Sequence, residues 1–252
     1  MDLNLKGKCA IITGGSRGVG KAISLALAQE GVNVIVNYNK NEASASEVIN
    51  HIINNGGKAL AIKADIGNPV ECINLVNEAE KAFGDVDILI NNAGIWRTNW
   101  VQDISLDEWQ KTIDVNLTAV FVTSQAFLKN KIAKNKGGKI LNLTSQAAFH
   151  GSTTGHAHYA ASKAGVVSLT VSMAREVAKY GINVNAVALG IVETDMTRNA
   201  IGENKDYYLK RIPIGRVAKP DDIAKIVTFL VSEPAGYITG ATIDATGGML
   251  MR

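Results

Sequence analysis

Residues 9–28 read Cys-Ala-Ile-Ile-Thr-Gly-Gly-Ser-Arg-Gly-Val-Gly-Lys-Ala-Ile-Ser-Leu-Ala-Leu-Ala, and this stretch decides the fold. Its first five residues form an apolar run typical of a strand, residues 14–20 are rich in glycine, and residues 21–28 have the composition of a helix. Strand, glycine-rich turn and helix in that order are the context in which a dinucleotide is bound. The glycines permit close approach of the backbone to a pyrophosphate, and the helix N-terminus attracts its charge. The alternative is an ordinary turn between a strand and a helix.

Strand-like and helix-like segments alternate along the rest of the chain. The apolar runs that read as strands are residues 10–13, 32–37, 58–63, 88–91, 139–143, 183–187 and 241–244. The helical stretches include residues 43–54, 69–83, 109–129, 159–180 and 223–232. Such alternation, without a repeat or a linker, predicts a parallel sheet covered on both faces. We therefore predict an α/β fold, a single Rossmann-type doubly wound domain over residues 1–252 with a seven-stranded parallel sheet.

Composition fits one enzyme-sized domain and gives no sign of a nucleic-acid or membrane partner. The 252 residues are 46% hydrophobic, and the formal net charge of +3 is spread without a basic stripe. No apolar run approaches the length that spans a bilayer, and residues 1–7 lack the apolar stretch of a signal peptide. Two distant cysteines, Cys9 and Cys72, provide no disulfide framework, so we expect Cys9 in the core. We expect a cytoplasmic protein.

Residues 158–165 read His-Tyr-Ala-Ala-Ser-Lys-Ala-Gly and place Tyr159 and Lys163 four residues apart. In a helix both side chains leave the same face. A phenol has a pKa of about 10, and a neighbouring ammonium lowers it by stabilising the phenolate. The pair is therefore suited to exchanging a proton with a carbonyl or an alcohol. Alternatively, the two residues are ordinary neighbours on a solvated helix face.

Further motifs at fixed intervals make the whole chain resemble the short-chain dehydrogenases/reductases. The family's Thr-Gly-x-x-x-Gly-x-Gly motif is matched by residues 13–20, and its Asn-Asn-Ala-Gly motif by residues 91–94. Its catalytic positions are matched, in order and spacing, by Asn116, Ser145, Tyr159 and Lys163, and a later Gly-x-x-x-Thr element by Gly190 and Thr194. Within the family, several segments read like those of 3-oxoacyl-carrier-protein reductases: residues 91–95, 174–178, 193–196 and 237–240.

The resemblance implies an NAD(P)-dependent enzyme that interconverts a ketone and a secondary alcohol by hydride transfer. In such an enzyme Tyr159 gives its proton to the carbonyl oxygen as general acid, and Ser145 donates a hydrogen bond to the same oxygen. Lys163 lowers the pKa of Tyr159 and holds the nicotinamide ribose, and Asn116 anchors a water that supplies protons to Lys163. Without the resemblance, Ser145 reads as a residue capping a turn, and Asn116 as a polar residue of a helix.

The residues at the end of the second predicted strand favour NADP over NAD. Sites specific for NAD place Asp or Glu about 20 residues beyond the glycine motif, where the carboxylate binds the ribose 2′-hydroxyl. Residues 36–40 read Val-Asn-Tyr-Asn-Lys and contain no acid, whereas Arg17 and Lys40 can pair with a 2′-phosphate. Arg17 matches a position at which NADP-using relatives carry Arg. The alternative for either residue is a solvated position without a ligand.

The predicted cofactor site combines the glycine motif, the ends of later strands and the two catalytic helix residues. By resemblance, Asp65 meets the adenine ring, although it could equally cap the next helix. We expect NADP (NADPH) to contact Gly14, Ser16, Arg17, Gly18, Val19, Gly20, Asn37, Asp65, Ile66, Asn92, Ala93, Gly94, Tyr159, Lys163, Gly190, Val192 and Thr194.

Two loops that border the substrate in the family depart from the reductase pattern. Residues 146–158 are rich in His and Thr, and residues 95–100 carry Trp96, Arg97 and Trp100. In addition, Leu189 stands where the family usually has Pro. The three histidines of the first loop invite interpretation as a metal site, but no Cys or carboxylate cluster at ligand spacing accompanies them. We therefore predict no metal, and histidines that lie on the surface or contact the substrate.

Partner contacts are predicted for the outer surface. Arg175 matches an Arg with which acyl-carrier reductases contact the carrier protein, with Lys131 and Lys134 as helpers or merely solvated residues. Residues 191–213 resemble the family's substrate lid. Relatives are mostly tetramers with two-fold interfaces on the long helices and on the last helix and strand. Three large apolar side chains among residues 249–252 favour a tail packed on a neighbouring subunit, the alternative being a tail on its own subunit.

These observations predict an NADP-dependent oxidoreductase and a homotetramer. Its substrate is a small carbonyl or alcohol, with a 3-oxoacyl thioester, free or on acyl carrier protein, as the specific candidate. The altered loops leave open a sugar, polyol or steroid dehydrogenase of the same family. A non-catalytic dinucleotide-binding protein is the remaining alternative, and the Ser–Tyr–Lys set argues against it because a pure binder does not need it. No nucleic acid, membrane or metal partner is expected.

Overall fold

Seven parallel strands form one sheet in the part of the chain that the structure, a computed structural model, describes: residues 2–152 and 154–252, without the side chains of residues 203 and 204. The strands are β1 (Cys9–Ile12), β2 (Asn33–Tyr38), β3 (Ala59–Lys63), β4 (Ile88–Asn91), β5 (Gly138–Ser145), β6 (Ile182–Leu189) and β7 (Thr242–Ala245). Their order is β3-β2-β1-β4-β5-β6-β7, with β1 paired to both β2 and β4. The predicted fold class is confirmed. Residue 153 of the predicted substrate loop and the side chains of residues 203 and 204 in the predicted lid lie outside this description.

Helices cover both faces of the sheet. They are α1 (Gly18–Gln29), α2 (Glu42–Asn54), α3 (Pro69–Phe83), α4 (Leu106–Ile113), α5 (Ala119–Ala133), α6 (Ala147–His150), α7 (Ala157–Val177), α8 (Arg198–Arg211) and α9 (Pro220–Leu230). A π-helical turn, Asp114–Thr118, joins α4 to α5. The helix predicted over residues 109–129 is therefore two helices and a turn, because hydrophobic periodicity does not reveal a local widening of the helix.

Alternate residues of each strand enter separate cores on the two faces of the sheet. Ala10 and Ile12 of β1 pack with α1, α2 and α9, whereas Cys9 and Ile11 pack with α3, α5 and α7. This alternation follows from the two-residue repeat of a strand, and a parallel sheet needs both of its faces apolar. Cys9 is a buried free thiol, as predicted, and burial raises its pKa to about 12.

The amino edge of the sheet is closed by an ion-pair cluster that the sequence analysis did not predict. Lys131 is 1% exposed and lies 2.8 Å from Asp85, which precedes β4. Lys134 lies 2.9 Å from Glu80 on α3. For Lys131 neither the carrier-protein contact nor the solvated position is correct, because its ammonium is buried against Asp85 at the edge opposite the carboxyl ends of the strands. Lys134 is exposed, in agreement with the solvated position, and its contact with a carrier protein stays a prediction.

Residues 249–252 fold back onto their own chain. The hydroxyl of Thr246 bonds both backbone groups of Leu250, and the Arg252 guanidinium makes two hydrogen bonds to Asp244 on β7. Of the three large apolar side chains here, only Met251 is exposed. Arg252 thus finds its carboxylate partner on the same chain, while Met251 is exposed and Met249 and Leu250 are half-buried. The packing of this tail on a neighbouring subunit stays a prediction.

None of the helices within residues 2–152 and 154–252 is long and apolar enough to cross a membrane.

Candidate active site

The carboxyl ends of β1, β4, β5 and β6 meet at the point where the strand order reverses. From β1 the chain turns to β2 on one side, and later strands continue from β4 on the other. Open α/β sheets bind ligands at such a switch point, because the loops on either side diverge and leave a crevice. The glycine-rich turn after β1 and the segment after β4 both end here.

The glycine-rich turn and residues 92–94 form one tightly packed unit. A Cβ on Gly20 would overlap the Gly14 carbonyl oxygen and lie 2.6 Å from Nδ2 of Asn92, so no other residue fits. The Thr13 hydroxyl accepts hydrogen bonds from the backbone N–H groups of Asn92 and Ala93 at 2.9 and 3.1 Å. The Asn92 amide donates to the Thr13 carbonyl at 2.8 Å. Asn92 therefore supports the turn, and the turn is shaped before any ligand arrives.

Two of the predicted cofactor residues make hydrogen bonds within the protein. Asn37 Oδ1 accepts the Gly14 N–H at 3.1 Å, and its Nδ2 donates to the carbonyls of Ile62 and Ala64. Asp65 Oδ1 accepts the Gly67 N–H at 2.9 Å, while the cap of α3 is Asn68. The helix-cap interpretation of Asp65 is wrong, and Asn37 ties together the turn, β2 and β3.

Arg17 stands at the start of α1 with its side chain in solvent. It is the N-cap residue of that helix, and no side chain caps the first turn. Within residues 2–152 and 154–252 the guanidinium has no hydrogen-bond or ion-pair partner, and Lys40 beyond β2 is also exposed. Uncapped N–H groups, a glycine cradle and a free cation without a nearby acid fit a phosphorylated dinucleotide.

The remaining predicted cofactor positions surround the same crevice. Gly18 lies beside Thr194, whose methyl carbon would be 3.3 Å from a Cβ at position 18. Gly190 follows β6 and packs on Thr246, and Val192 pairs with Ala218 in an isolated bridge. Ser16, Val19 and Ile66 are also buried. The predicted positions from both ends of the chain thus come together, although Ile66 and Val19 also serve the apolar cores.

Ser145 at the end of β5 lies close to Tyr159 at the beginning of α7. Burial raises the pKa of Tyr159 above its ordinary value, and the Ser145 hydroxyl opposes this rise by stabilising the phenolate. Ser145 Oγ also accepts the Ala147 N–H at 3.2 Å. The phenol therefore keeps its proton at neutral pH, which suits a proton donor.

Lys163 lies one turn further along α7 and is buried. Its Nζ donates to the Leu143 carbonyl at 2.8 Å and lies 5.9 Å from the centroid of the Tyr159 ring. Burial lowers the pKa of Lys163 to about 8. Lys163 was expected to lower the pKa of Tyr159. Instead, burial raises the pKa of Tyr159 and lowers the pKa of Lys163, because removal from water disfavours the charged form of each group.

Asn116 occupies the π-helical turn between α4 and α5 and is fully buried. Its amide accepts the Ile95 N–H at 2.8 Å and donates to the Ile95 carbonyl at 3.0 Å and to Ser162 Oγ at 3.2 Å. A Cβ at Gly94 would lie 3.2 Å from Asn116 Oδ1 and 3.7 Å from Lys163 Nζ. Asn116 is therefore more than a polar helix residue, since it pins the segment beside Lys163. Its water-holding role stays a prediction.

Sequence reasoning missed the function of two histidines. The His156 ring stacks on Trp96 at 4.5 Å, and its Nδ1 lies 2.8 Å from the Arg97 carbonyl oxygen. Burial lowers the pKa of His156. His158 is fully buried, with Nε2 3.4 Å from a Glu108 carboxylate oxygen. Both were expected on the surface or against the substrate. Both are buried rather than at the surface: His156 joins the loop after β4 to the start of α7, and His158 joins α4 to it. Pairings across 50 or more positions leave no periodic signal. Contact of these histidines with a substrate stays a prediction.

The described residues contain no group of three or more His, Cys, Asp or Glu side chains that could hold a metal ion.

The fold and this site define a dinucleotide-dependent oxidoreductase, and the chain belongs to the short chain dehydrogenase family, whose sequence pattern matches residues 8–205. It acts on a CH–OH or keto group and binds a nicotinamide dinucleotide, NAD(P). It is 43% identical over 248 residues to a 3-oxoacyl-[acyl-carrier-protein] reductase of Synechocystis, covering 98% of each chain. It is 43% identical to 3-oxoacyl-[acyl-carrier-protein] reductase FabG of Staphylococcus epidermidis over 97% of this chain and 99% of the relative.

Solved structures agree with this assignment. A short-chain dehydrogenase of Burkholderia cenocepacia in complex with NADP is 38% identical with a TM-score of 0.91, covering 97% of this chain and 98% of the other. A short-chain dehydrogenase/reductase of Serratia marcescens gives the same identity, TM-score and coverage.

Proposed function

We propose that this chain reduces a 3-oxoacyl thioester to the 3-hydroxyacyl thioester with NADPH. The observation that carries the proposal is the assembled Ser145–Tyr159–Lys163 group beside the glycine cradle. Two relatives of 43% identity and nearly equal length are named as reductases of this substrate class. A sugar, polyol or steroid dehydrogenase is the competing function, favoured by the Trp96–His156 stack at the substrate side.

The four polar residues divide the chemistry as follows. A nicotinamide bound beside the glycine cradle would supply the hydride for the carbonyl carbon. Tyr159 delivers its proton to the carbonyl oxygen, and Ser145 donates a hydrogen bond to that oxygen as negative charge develops on it. Lys163 holds the ribose and returns a proton to Tyr159, and its pKa of about 8 makes both protonation states accessible near neutral pH. Asn116 fixes the backbone of residues 94–95 beside Lys163.

NADP rather than NAD is proposed as the cofactor. Arg17 offers a guanidinium at the start of α1 without a partner among the described residues, and the end of β2 has no carboxylate to repel a 2′-phosphate. Both the cradle and the cation suit a phosphate group. The NADP complex of a 38% identical relative supports the same choice.

The test is a set of initial rates on the purified chain, followed by the absorbance of the reduced cofactor. Acetoacetyl-coenzyme A and an acyl-carrier-protein thioester are compared with a ketose, a polyol and a ketosteroid, each with NADPH and NADH. Tyr159→Phe serves as the blank. The proposal requires the highest kcat/KM for the thioesters with NADPH. A higher kcat/KM for a sugar or steroid would establish the competing function.

The carrier protein is proposed to contact Arg175. This residue is exposed on α7, and 16 residues of helix place it about 24 Å from Tyr159. Arg175→Glu should weaken the reaction of the carrier-bound substrate and leave that of the coenzyme A thioester unchanged. Equal effects on both thioesters would remove Arg175 from the carrier surface.

A homotetramer is proposed as the assembled state. A groove of about 500 Å³ runs between α5 and α7 and exposes apolar side chains that include Phe121, Leu128, Ile132 and Leu169. Phe121 and Ile132 are 46% and 37% exposed. Large exposed apolar patches mark association surfaces. Phe121→Glu should reduce the mass measured by light scattering, and a monomeric wild type would refute the proposal. The cytoplasmic location stays a prediction.

A further inference from the structure

Arg252 joins the last strand to the short helix that follows Ser145. Its guanidinium donates to both carboxylate oxygens of Asp244 at 2.9 and 3.1 Å and to the Thr242 carbonyl at 2.9 Å. The guanidinium carbon lies 3.8 Å from the centroid of the Phe149 ring. A planar guanidinium can bind a carboxylate along its edge while it stacks on an aromatic face. Arg252 therefore clamps Phe149 against the end of β7.

Phe149 belongs to α6, a four-residue helix without a buried residue or a side-chain cap. So short a helix depends on contacts from outside. At its beginning the Ala147 N–H donates to Ser145 Oγ at 3.2 Å, and the Phe149 N–H donates to the Gln146 carbonyl at 3.0 Å. Any movement of α6 consequently changes a hydrogen bond to the Ser145 hydroxyl, which lies close to Tyr159.

A second contact from the same segment reaches the residue between Ser145 and α6. Gln146 Nε2 lies 3.7 Å from the sulfur of Met249, and Gln146 N–H donates to the Leu189 carbonyl at 3.0 Å. The neighbouring residues reach the end of the predicted lid, because the Ile214 N–H donates to the Gly247 carbonyl at 3.1 Å. Residues 246–252 thus touch both elements that flank the substrate side of Ser145.

We propose that Arg252 is a positioning residue for the reaction. Its clamp on Phe149 holds α6 in place, and α6 in turn directs the Ser145 hydroxyl toward the carbonyl oxygen of the substrate. This inference rests on the proposed function. Arg252 acts through Phe149 and α6 and touches neither substrate nor cofactor.

Four variants test the clamp: Arg252→Ala, Arg252→Lys, Phe149→Leu and the double variant Arg252→Ala/Phe149→Leu. Lys179→Ala is the matched control, since Lys179 also covers an aromatic ring, that of Tyr180, at 5.1 Å beyond the far end of α7. Arg252→Ala should lower kcat roughly 5- to 30-fold with the thioester and leave the NADPH dissociation constant unchanged. Arg252→Lys should recover part of the loss, because an ammonium keeps the charge and loses the planar stack.

Coupling provides a second measure. If Arg252 acts through Phe149, the double variant should lose no more activity than the larger of the two single losses. Amide exchange of residues 146–151 gives a readout independent of turnover, and Arg252→Ala should accelerate it. Normal kcat and normal exchange in Arg252→Ala, additive losses, or losses equal to those of Lys179→Ala would each overturn the proposal. Accelerated exchange in a chain without thioester reductase activity would retain the clamp and refute the proposed function instead.

Discussion

The two sides of the crevice are built differently. On the dinucleotide side, the polar side chains of Thr13, Asn37 and Asn92 bond to backbone groups of neighbouring strands and turns. On the substrate side, contacts run between side chains of separate loops, such as His156 on Trp96 and Arg252 on Phe149. Backbone bonds hold a shape that depends little on the surrounding residues, whereas side-chain contacts change with every substitution. The first construction preserves a common cofactor cradle, and the second allows substrate choice to vary.

The residues that we propose as catalytic lie between the two sides, and several of their contacts come from the dinucleotide side. Ser145 ends β5, which pairs with β6 along its whole length. Lys163 bonds the carbonyl of Leu143 in that same strand, and Thr144 bonds the carbonyl of Lys163 in return. The sheet therefore fixes the backbone of Ser145 and the ammonium of Lys163, whereas the Ser145 hydroxyl also contacts α6 on the substrate side.

The largest expected effect is a loss of turnover that leaves both the dinucleotide side and the substrate side of the crevice unchanged. Tyr159→Phe should reduce kcat roughly 100- to 10,000-fold, because the proton donor is lost while the fold and the cradle stay intact. NADPH affinity, measured by fluorescence titration, should change little. Tyr180→Phe, at the far end of the same helix, is the control. A Tyr159→Phe chain with nearly normal turnover would remove Tyr159 from the mechanism.

The burial of Lys163 between the two sides of the crevice can be tested by measuring the free energy of unfolding. Its folded pKa of about 8 lies below the ordinary 10.5, so the native state holds this charge at a cost of up to about 3 kcal/mol below pH 8. Lys163→Met should therefore raise the free energy of unfolding of the cofactor-free protein by about 1–3 kcal/mol at pH 7 and abolish turnover.

The sign of the pH dependence follows from proton binding. Between pH 8 and 10.5 the unfolded chain keeps the Lys163 proton that the native state has lost. The free energy of unfolding of the wild type therefore rises with pH relative to that of Lys163→Met, and the difference between the two becomes smaller. Urea unfolding at pH 7 and pH 10 measures both variants, with Lys179→Met as an exposed control. A difference in stability that is independent of pH would mean that Lys163 is not buried as a charge.

The dinucleotide side was the part that the sequence could predict. Strand, turn and helix around Gly14–Gly20 are local features, and the strand positions follow from apolar runs that the two cores require. Even there, the hydrogen bonds that the Asn37 side chain donates to the carbonyls of Ile62 and Ala64 were not predicted, because these carbonyls lie in and just after another strand, β3. Sequence patterns report which face a residue takes, and they do not report which distant backbone group it meets.

On the dinucleotide side, Arg17 can be tested for its contribution to the preference for NADPH over NADH. Arg17→Ala should weaken NADPH binding roughly 10- to 100-fold, the value of a charge-assisted hydrogen bond, and should leave NADH binding almost unchanged. Fluorescence titration of both cofactors measures the ratio. Lys40→Ala is the informative partner, because it reports whether the second exposed cation contributes. Equal losses for NADPH and NADH would show that Arg17 does not read the 2′-phosphate.

The substrate side escaped sequence analysis for a physical reason. His158 meets Glu108, and Arg252 meets Phe149, across 50 and 103 positions through loops with no repeating pattern. Residue types alone placed the histidines either at the surface or against the substrate, yet His156 and His158 are buried among the residues of the protein. Only tertiary structure brings such partners together.

The smallest expected effect concerns residues 191–213, which we propose as the substrate lid. Within them α8 begins at Arg198 without a side-chain cap or an acidic residue in its first turn, whereas α9 begins with a proline and two acids and is bound to Arg216. Apart from residues 203 and 204, the side chains of α8 are exposed or half-buried, whereas α9 buries an apolar face. Segments with few buried contacts open most easily, so we expect α8 amides to exchange faster than those of α9 in the free protein.

NADP and a thioester together should slow exchange in α8 by roughly tenfold, about 1.4 kcal/mol of added protection, and should leave α9 unchanged. Hydrogen exchange read by mass spectrometry measures both helices in one sample. NADP alone is the decisive intermediate condition, because Thr194 beside Gly18 lies within the cofactor side while α8 follows it. If α8 is protected only when the substrate is present, α8 belongs to the substrate side of the crevice. Full protection already present in the free protein would make residues 191–213 a rigid part of the scaffold and end their interpretation as a lid.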